Sequence, residues 1–378
     1  MKIVETGILS HGEPGTARAA LTFPSVVALS SAPLLATLRA GSTKDAADET
    51  VELHRSDDGG RTWHELRRLS FDERVPSGPG GARGTLKVCY LTELAPGHLI
   101  AAAMWIDRTS YPGQPLFNPA TEGCLPMFIV LADSHDEGAT WTPWRVVPLP
   151  DEIGPASLTS PILKLPGGTL AMSIETNKHY HDDSKWYQRV VLIHSSDGGR
   201  TWTAPVTAGQ DPTGRIFNWD QRLAVSPDGR VGAFVWTYDS AARAYRNIHR
   251  RISADGGRTW SEAEDLGFAD QAGRPAILPD SRVVLPWVDR FGTHAIRARM
   301  APAIDAAFDP ASEVVLYVLD QASAPAPDDD STGALLAEMS VWTFGLPYAE
   351  ALPGGDVFVV YYAGSETTMD IRWARLRI

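Results

Sequence analysis

The stretch Ser195-Ser-Asp-Gly-Gly-Arg-Thr-Trp202 is one copy of the pattern S-x-D-x-G-x-T-W, which occurs four times in this chain of 378 residues. The other copies run from Ser56 to Trp63, from Ser134 to Trp141 and from Ser253 to Trp260. Four matches at five fixed positions lie far beyond chance. The pattern therefore indicates that one structural unit repeats along the chain.

The chemistry of the repeat is that of a hairpin turn. An aspartate side chain accepts hydrogen bonds from backbone amides, a glycine adopts a positive φ angle without strain, and a tryptophan anchors the turn against a sheet. Because the turn already engages their oxygens, the repeat aspartates are predicted to be structural and not catalytic. They are Asp58, Asp136, Asp197 and Asp255.

The repeat resembles the Asp-box, also called the bacterial neuraminidase repeat, of the sialidase superfamily. Members of that superfamily are β-propellers in which the box joins the third and fourth strands of a blade. The resemblance covers residues from about 20 to 378 and implies the propeller fold. It implies less about activity, because Asp-boxes also occur in lyases, in other glycosidases and in binding proteins of this shape.

Six apolar segments bounded by turn residues predict β-hairpins, each made of the first and second strands of a blade. They span residues 24–38, 86–106, 160–174, 222–238, 275–288 and 349–362. Residues 2–9 alternate apolar and polar side chains and are predicted to supply the outer strand that the last blade lacks. We therefore predict an all-β fold: one six-bladed β-propeller domain over residues 1–378, with four Asp-box turns and a ring closed by the N-terminal strand.

The composition disfavours several classes of partner. A formal net charge of −12 argues against nucleic acids and anionic membranes, since both need a broad positive surface. The residues after Met1 lack the apolar stretch of a secretory signal, so a soluble, cytoplasmic protein is predicted. Only Cys89 and Cys124 are present, and both are predicted to be free thiols. No cofactor is predicted, and the oligomeric state stays open.

Charged and aromatic residues gather in the loops of one propeller face. Antiparallel geometry puts the second-to-third loops and the blade-to-blade loops on the face opposite the boxes. Aromatic rings stack on sugar rings, while carboxylates, amides and guanidinium groups bind sugar oxygens. These loops therefore predict a site for an acidic oligosaccharide or glycoside. The predicted substrate-binding residues are Arg108, Asn177, His179, Trp219, Gln221, Arg222, Tyr238, Arg274 and Arg290.

The resemblance to sialidases implies particular roles in catalysis. Sialidases hold the substrate carboxylate with three arginines and use a tyrosine nucleophile assisted by a glutamate, with an aspartate as acid and base. On this basis Arg222, Arg274 and Arg290 are predicted carboxylate clamps, Tyr348 is the predicted nucleophile, and Glu350 lies two residues beyond it. One departure concerns the first blade.

Where the family carries Arg-Ile-Pro, this chain has Thr22-Phe-Pro24, so the first clamp arginine is missing. Arg83 and Arg108 of the neighbouring blade are the candidates to replace it.

Carboxylates at the ends of predicted strands are the candidates for the catalytic acid and base. Asp107, Glu175 and Asp220 follow well-anchored strands and are the predicted catalytic carboxylates. Asp45 and Asp48 lie in the first-blade loop that corresponds to the family's acid/base aspartate, but that loop is a polar, Ala-rich stretch.

Three functions remain open at this point. The first is an exo-acting glycoside hydrolase for a carboxylate-bearing sugar such as sialic acid, with residues 107–126 overhanging the pocket as a rim. The second is a polysaccharide lyase for a uronic-acid glycoside, with a base among His179, Tyr180, His181 and Tyr238. The third is a sugar-binding propeller without catalysis. His179 and His181 share one side of a strand, but no third ligand is in register, so no metal is predicted. Residues 321–333 are predicted to be a mobile linker.

Overall fold

The computed structural model describes residues 1–69, 81–319, 339 and 342–378. The predicted linker at residues 321–333 lies outside the described residues. The all-β class is confirmed, since the described secondary structure consists of strands apart from short 3₁₀ turns such as Asp151–Ile153 and Pro166–Gly168. Among the described residues, no helix has the length and apolar character needed to cross a membrane.

The strands form consecutive antiparallel groups. The first strand, β1, spans Lys2–Ser10. The first group contains β2 (Ala20–Ala28), β3 (Leu34–Gly41), β4 (Thr50–Ser56) and β5 (His64–Arg68). The second contains β6 (Gly84–Ala95), β7 (His98–Asp107), β8 (Met127–Ser134) and β9 (Arg145–Val146). The third contains β10 (Leu163–Lys164), β11 (Leu170–Glu175), β12 (Arg189–Ser195) and β13 (Val206–Gln210).

The later groups follow the same order. The fourth contains β14 (Ile216–Val225), β15 (Val231–Asp239), β16 (Ala244–Tyr245), β17 (His249–Ser253) and β18 (Glu264–Asp265). The fifth contains β19 (Gln271–Ala272), β20 (Ala276–Ile277), β21 (Val283–Asp289), β22 (Ala295–Ala301) and β23 (Asp309–Val318). The last contains β24 (Phe344–Ala351), β25 (Val357–Gly364) and β26 (Met369–Arg377).

The outer strand of the last group comes from the start of the chain. β1 pairs antiparallel with β26, from Lys2 opposite Arg377 to Ser10 opposite Ile371. One parallel bridge, between Ala20 of β2 and Met369 of β26, links the last group to the first. The predicted pairing of the N-terminal strand with the C-terminal strand is confirmed.

The core lies between neighbouring groups. β3 and β15 are buried at every position, because a middle strand is covered on both faces. Their sequences are correspondingly rich in apolar residues without strict alternation. Cys89 and Cys124 are buried in this core as free thiols, as predicted.

The four repeats make one kind of turn. In the copy that begins at Ser195, the Asp197 carboxylate accepts hydrogen bonds from the backbone N–H groups of Arg200 and Thr201, both at 2.9 Å. Ser195 Oγ accepts the N–H of Gly199 at 2.8 Å. The equivalent aspartates Asp58, Asp136 and Asp255 accept the same kind of turn hydrogen bonds. Their oxygens are engaged by the turn, as predicted.

Candidate active site

Three first strands carry the same irregularity. β2, β14 and β24 each contain one extra residue relative to the second strand beside them. Within each bulge one non-glycine residue has a positive φ angle: 49° at Phe23, 50° at Asp220 and 46° at Leu346. Such conformations are strained for these residue types and cluster at functional sites. All three side chains line the same cavity.

The cavity has a volume of about 240 Å³ and receives residues from every strand group or its loops. Pro115, Leu116 and Phe117, from the loop between β7 and β8, line one side. Residues 115–117 of the stretch 107–126 thus contribute to the cavity, and the overhanging rim stays a prediction. A single cavity that many loops build is how a fold of this kind forms a ligand site.

Two carboxylates in the cavity occupy different environments. Glu175, at the end of β11, is only 7% exposed, and the backbone N–H of Gln221 donates to its Oε1 at 3.2 Å. Burial, and then the negative charge of Asp220, raise the pKa of Glu175 to about 8. Asp220 itself is paired with Arg222 at 3.2 Å and accepts a hydrogen bond from Gln271 Nε2. The environment of Glu175 therefore favours its protonated form, whereas Asp220 has two compensating partners.

Two buried cations face the same space. Lys44 Nζ donates to the carbonyl of Met339, and Arg290 donates to Gln271 Oε1 at 2.9 Å and to the carbonyl of Phe344 at 3.0 Å. Within the described part of the chain, neither the Lys44 amine nor the Arg290 guanidinium has a carboxylate oxygen within 4.0 Å. Burial, and then the positive charge of Arg290, lower the pKa of Lys44 well below its usual value. Arg290 therefore makes this side of the cavity electropositive, and an anion bound beside Lys44 would favour the charged form of its amine.

The aspartate of the first-blade loop is committed elsewhere. Asp45 lines the cavity and forms an ion pair with Lys87. Burial opposes ionisation, but the charge and hydrogen bond of Lys87 lower the pKa of Asp45 to about 2. An ionised, paired Asp45 is unsuited to donate a proton. Asp48 is exposed and accepts hydrogen bonds from Ser42.

The structure brings part of the predicted site together. Six predicted residues line the cavity: Glu175, Asn177, Trp219, Asp220, Arg222 and Arg290. Arg222 is fixed by hydrogen bonds from its Nη1 to the hydroxyl of Tyr90, at 3.0 Å, and to the carbonyl of Thr159. Asn177 donates to the carbonyl of Pro155 at 2.8 Å.

The predicted position of Tyr348 on the cavity wall is wrong. Leu346 takes that place because of the bulge in β24, and Tyr348 is only 4% exposed. Its ring lies between Tyr90, at a centroid distance of 6.1 Å, and the guanidinium of Arg274, at 5.0 Å. Burial raises the pKa of the Tyr348 hydroxyl, which disfavours the phenolate.

The predicted clamp of three arginines does not form around the cavity. Arg274 is absent from the cavity lining, and its guanidinium donates to the Glu350 carboxylate and to the carbonyl of Ala349. Glu350 is thus occupied by Arg274 and is not a cavity group either. Only two of the three predicted clamp residues remain.

Several other predicted residues also lie outside the cavity lining. Asp107 accepts backbone hydrogen bonds from Thr109 and Ser110 in a turn that it caps. Arg108 is paired with Glu49. Gln221 and Tyr238 are buried among neighbouring residues, away from the cavity lining. His179 and His181 are exposed to solvent. The hydroxyl of Tyr180 donates a hydrogen bond to the carbonyl of Pro115.

Other cavity residues were missed by sequence reasoning. Lys44 directly precedes Asp45, and Gln271 occupies a blade entry like that of Trp219, so both had a positional signal. Tyr90 and Tyr362 lie in strands that the sequence predicts as core, and nothing in the pattern separates them from core tyrosines. The polar and aromatic lining residues outside the predicted set include Lys44, Lys87, Tyr90, Trp186, Trp236, Gln271, Trp342 and Tyr362.

The chain is similar to known proteins both in sequence and in structure. No family model matches the chain. A sialidase from Bacteroides fragilis (strain YCH46) is 26% identical over 272 residues, which cover 68% of this chain and 46% of that protein. A sialidase from Micromonospora viridifaciens is 25% identical over 236 residues, covering 61% of this chain and 34% of that protein. The chain thus spans less than half the length of these relatives.

Solved structures with the same fold cover nearly the whole chain. A protein of unknown function from Dyadobacter fermentans has a TM-score of 0.72 at 20% identity, with 100% of this chain and 99% of that chain aligned. The intramolecular trans-sialidase of Ruminococcus gnavus has a TM-score of 0.64 at 14% identity, with 98% and 97% aligned. The α-L-arabinanase of Penicillium chrysogenum has a TM-score of 0.63 at 15% identity, with 100% and 98% aligned.

These comparisons confirm the resemblance of the chain to the sialidase-like superfamily and its β-propeller fold. At these identities the solved structures establish the fold alone.

Proposed function

We propose that the protein is a glycoside hydrolase in which Glu175 is the general acid and Asp220 is its carboxylate partner. The pair of unlike carboxylates in one cavity carries this proposal. Burial and a neighbouring negative charge keep Glu175 protonated at neutral pH, whereas Arg222 and Gln271 compensate the charge of Asp220. Environments that separate two carboxyl groups in this way define an acid and a base or nucleophile.

The reaction then needs only the residues at hand. Glu175 donates its proton to the glycosidic oxygen, so the leaving group departs as a neutral alcohol. Asp220 faces the positive charge that develops on the sugar ring. A water molecule then adds its hydroxyl to that ring and gives its remaining proton to Glu175, which restores the acid. Tyr90 lines the cavity, and its hydroxyl accepts a hydrogen bond from Arg222. It is therefore our candidate for the tyrosine nucleophile that the sialidase resemblance implies.

We propose further that the substrate carries a carboxylate. Lys44 and Arg290 are buried basic residues, and no described carboxylate oxygen lies within 4.0 Å of Lys44 Nζ or of the Arg290 guanidinium, whereas Asp270 Oδ2 accepts the backbone N–H of Arg290 at 3.1 Å. A buried charge without a partner is unfavourable, and a bound anion relieves that cost. A sugar acid of the sialic or uronic type supplies such an anion. The wall formed by Pro115, Leu116 and Phe117 favours exo-acting cleavage, because it closes one side of the cavity.

The strand groups support a six-bladed arrangement around this cavity. We infer that each group is one blade and that the pairing of β1 with β26 closes the ring. The cavity draws residues from every group, as a site on the axis of such a ring requires. The four repeat turns, which contribute no cavity residue, then occupy the other end of the blades as Asp-boxes.

Elimination is less well supported than hydrolysis. The bases considered for a lyase were His179, Tyr180, His181 and Tyr238, and none of them lines the cavity. A non-catalytic binding protein would have no need of an acid with a pKa of about 8 beside a second carboxylate.

A substrate panel tests the proposal directly. The protein is incubated with 4-methylumbelliferyl α-sialoside, β-glucuronide and α-L-arabinofuranoside, and separately with uronic-acid oligosaccharides. Release of methylumbelliferone from an acidic glycoside is the expected result, and Glu175→Gln is expected to abolish sugar release from the corresponding oligosaccharide, whose leaving group needs a proton. Absorbance of an unsaturated uronate without sugar release would identify a lyase, and the absence of turnover on every compound would reject the enzyme.

A further inference from the structure

A stack of aromatic rings leads from the cavity to the protein surface. Trp236 lines the cavity and is 1% exposed. The ring of Tyr245 lies nearly parallel to it, at a centroid distance of 4.5 Å and an angle of 9°. Phe291 continues the stack beyond Tyr245 at 5.0 Å and 11°. The outermost ring, Phe291, is 52% exposed.

The position of Phe291 is fixed by its turn and by a second cavity residue. The Asp289 carboxylate accepts the N–H of Gly292 at 3.0 Å and the hydroxyl of Thr293, which closes the turn that carries Phe291. Trp342 lines the cavity and meets Phe291 edge-on, at 6.4 Å and 78°. Phe291 is therefore a preorganised ring at the rim of the cavity.

An exposed ring in this setting has a face to offer. One face of Phe291 is stacked on Tyr245, and the described residues place no further ring against it besides the edge of Trp342. Large apolar side chains are usually withdrawn from water, so a fixed and half-exposed phenylalanine beside a ligand cavity points to a contact made by the ligand. Sugar rings present an apolar C–H face that packs on such a ring.

We propose that Phe291, backed by Tyr245 and bordered by Trp342, is a second sugar-binding subsite that stacks on the leaving-group sugar of a disaccharide or longer substrate. This inference rests on the proposed glycoside hydrolase function. The sugar to be released fills the enclosed cavity, so only the leaving group extends to the rim. The substrate class is accordingly an oligosaccharide rather than a glycoside with a small aglycone.

Kinetics on paired substrates test the subsite. For each acidic sugar, a disaccharide is compared with the glycosyl fluoride, which has no second ring: sialyl-α2,3-galactose with sialyl fluoride, and a glucuronyl disaccharide with glucuronyl fluoride. Phe291→Ala is expected to lower kcat/KM for the disaccharide about three- to tenfold, mainly through KM, and to change the value for the fluoride less than about twofold. Phe291→Trp, which keeps a ring face, should restore the disaccharide value.

A matched control is available in Tyr187, which is 50% exposed and has no ring–ring contact among the described residues. Tyr187→Ala should leave both substrates unaffected. Equal losses on disaccharide and fluoride in Phe291→Ala, or no loss on either, would overturn the subsite while leaving the hydrolase proposal intact. A wild-type protein that cleaves neither member of either pair would overturn both proposals.

Discussion

Glu175 and Asp220 share one polar corner of the cavity, where the charge of Asp220 adds to burial in raising the pKa of Glu175 to about 8. The two carboxyl groups come from different strand groups: Glu175 ends β11, and Asp220 sits in the bulge of β14. The bulge in β14 therefore affects the chemistry of the site, because it places Asp220 close enough to Glu175 for its charge to raise the pKa of Glu175.

Replacement of the acid should remove most of the turnover. Glu175→Gln is expected to lower kcat about a hundredfold or more, since an amide cannot donate the proton that the leaving group needs. In the wild-type protein the rate should fall as the pH rises through about 8, because Glu175 is active only when protonated. The check is a pH–rate profile of both proteins on the best substrate of the panel.

Asp107→Asn is the matched control for that variant. Asp107 is a buried carboxylate at the end of β7 that serves a turn and does not line the cavity. Its amide variant should keep turnover within about threefold and keep the same alkaline limb. A loss as large as that of Glu175→Gln would place the catalytic acid elsewhere.

Removal of a cavity cation should separate acidic from neutral substrates. Lys44→Met is expected to raise KM for a carboxylate-bearing glycoside about tenfold or more, since a hydrogen bond to a charged group contributes roughly 1.5–3 kcal/mol. The free energy of unfolding should not fall, because an apolar side chain replaces a buried amine whose charged form is disfavoured by burial. Lys164→Met, at an exposed lysine outside this cavity, is the control for both measurements.

The hydroxyl of Tyr348, the tyrosine implied by the sialidase resemblance, should not be needed for turnover. Tyr348 is buried between Tyr90 and Arg274, and Leu346 faces the cavity in its place. Tyr348→Phe is therefore expected to retain kcat within about threefold and to retain its stability within about 1 kcal/mol. Loss of turnover by a hundredfold, measured on the same substrate, would return the nucleophile to Tyr348.

A repeat turn should contribute to stability without contributing to catalysis. Asp255 accepts hydrogen bonds from the backbone N–H groups of Arg258 and Thr259, both at 2.9 Å. Asp255→Ala should lower the free energy of unfolding by about 1–2 kcal/mol, as loss of a capping side chain does. Urea denaturation measures this change. Unaltered kcat is expected, and a large fall in kcat at unchanged stability would contradict the structural role.

Much of the fold was predictable because its signals are local. The repeat turns carry their own hydrogen-bond acceptors, and the hairpins are separated by turn residues, so neither depends on distant contacts. The pairing of β1 with β26 was predictable because the last group lacks an outer strand, and residues 2–9 alternate apolar and polar side chains as such a strand does.

The site was harder to predict because it depends on one-residue bulges. A pattern of period two cannot show that Leu346 instead of Tyr348 faces the cavity, since an extra residue reverses the side on which the following residues lie. The same limit applies to charge pairing. Nothing in the sequence distinguishes the charge pairing of Arg274 from that of Arg290. In the structure Arg274 forms a salt bridge with Glu350, whereas no described carboxylate forms a salt bridge with the guanidinium of Arg290.

The pairing of β1 with β26 also sets an order on the making of the protein. β1 precedes the other described strands in the chain and β26 follows them, so β1 lacks this partner while the groups between them are synthesised. Charged residues of β1, such as Lys2 and Glu5, protect it during this period, because charge on an unpaired edge strand disfavours pairing with strands of other molecules. Leu346 and Tyr362 of the last group complete the cavity wall. A nascent chain therefore has no complete cavity until β24 and β25 have left the ribosome.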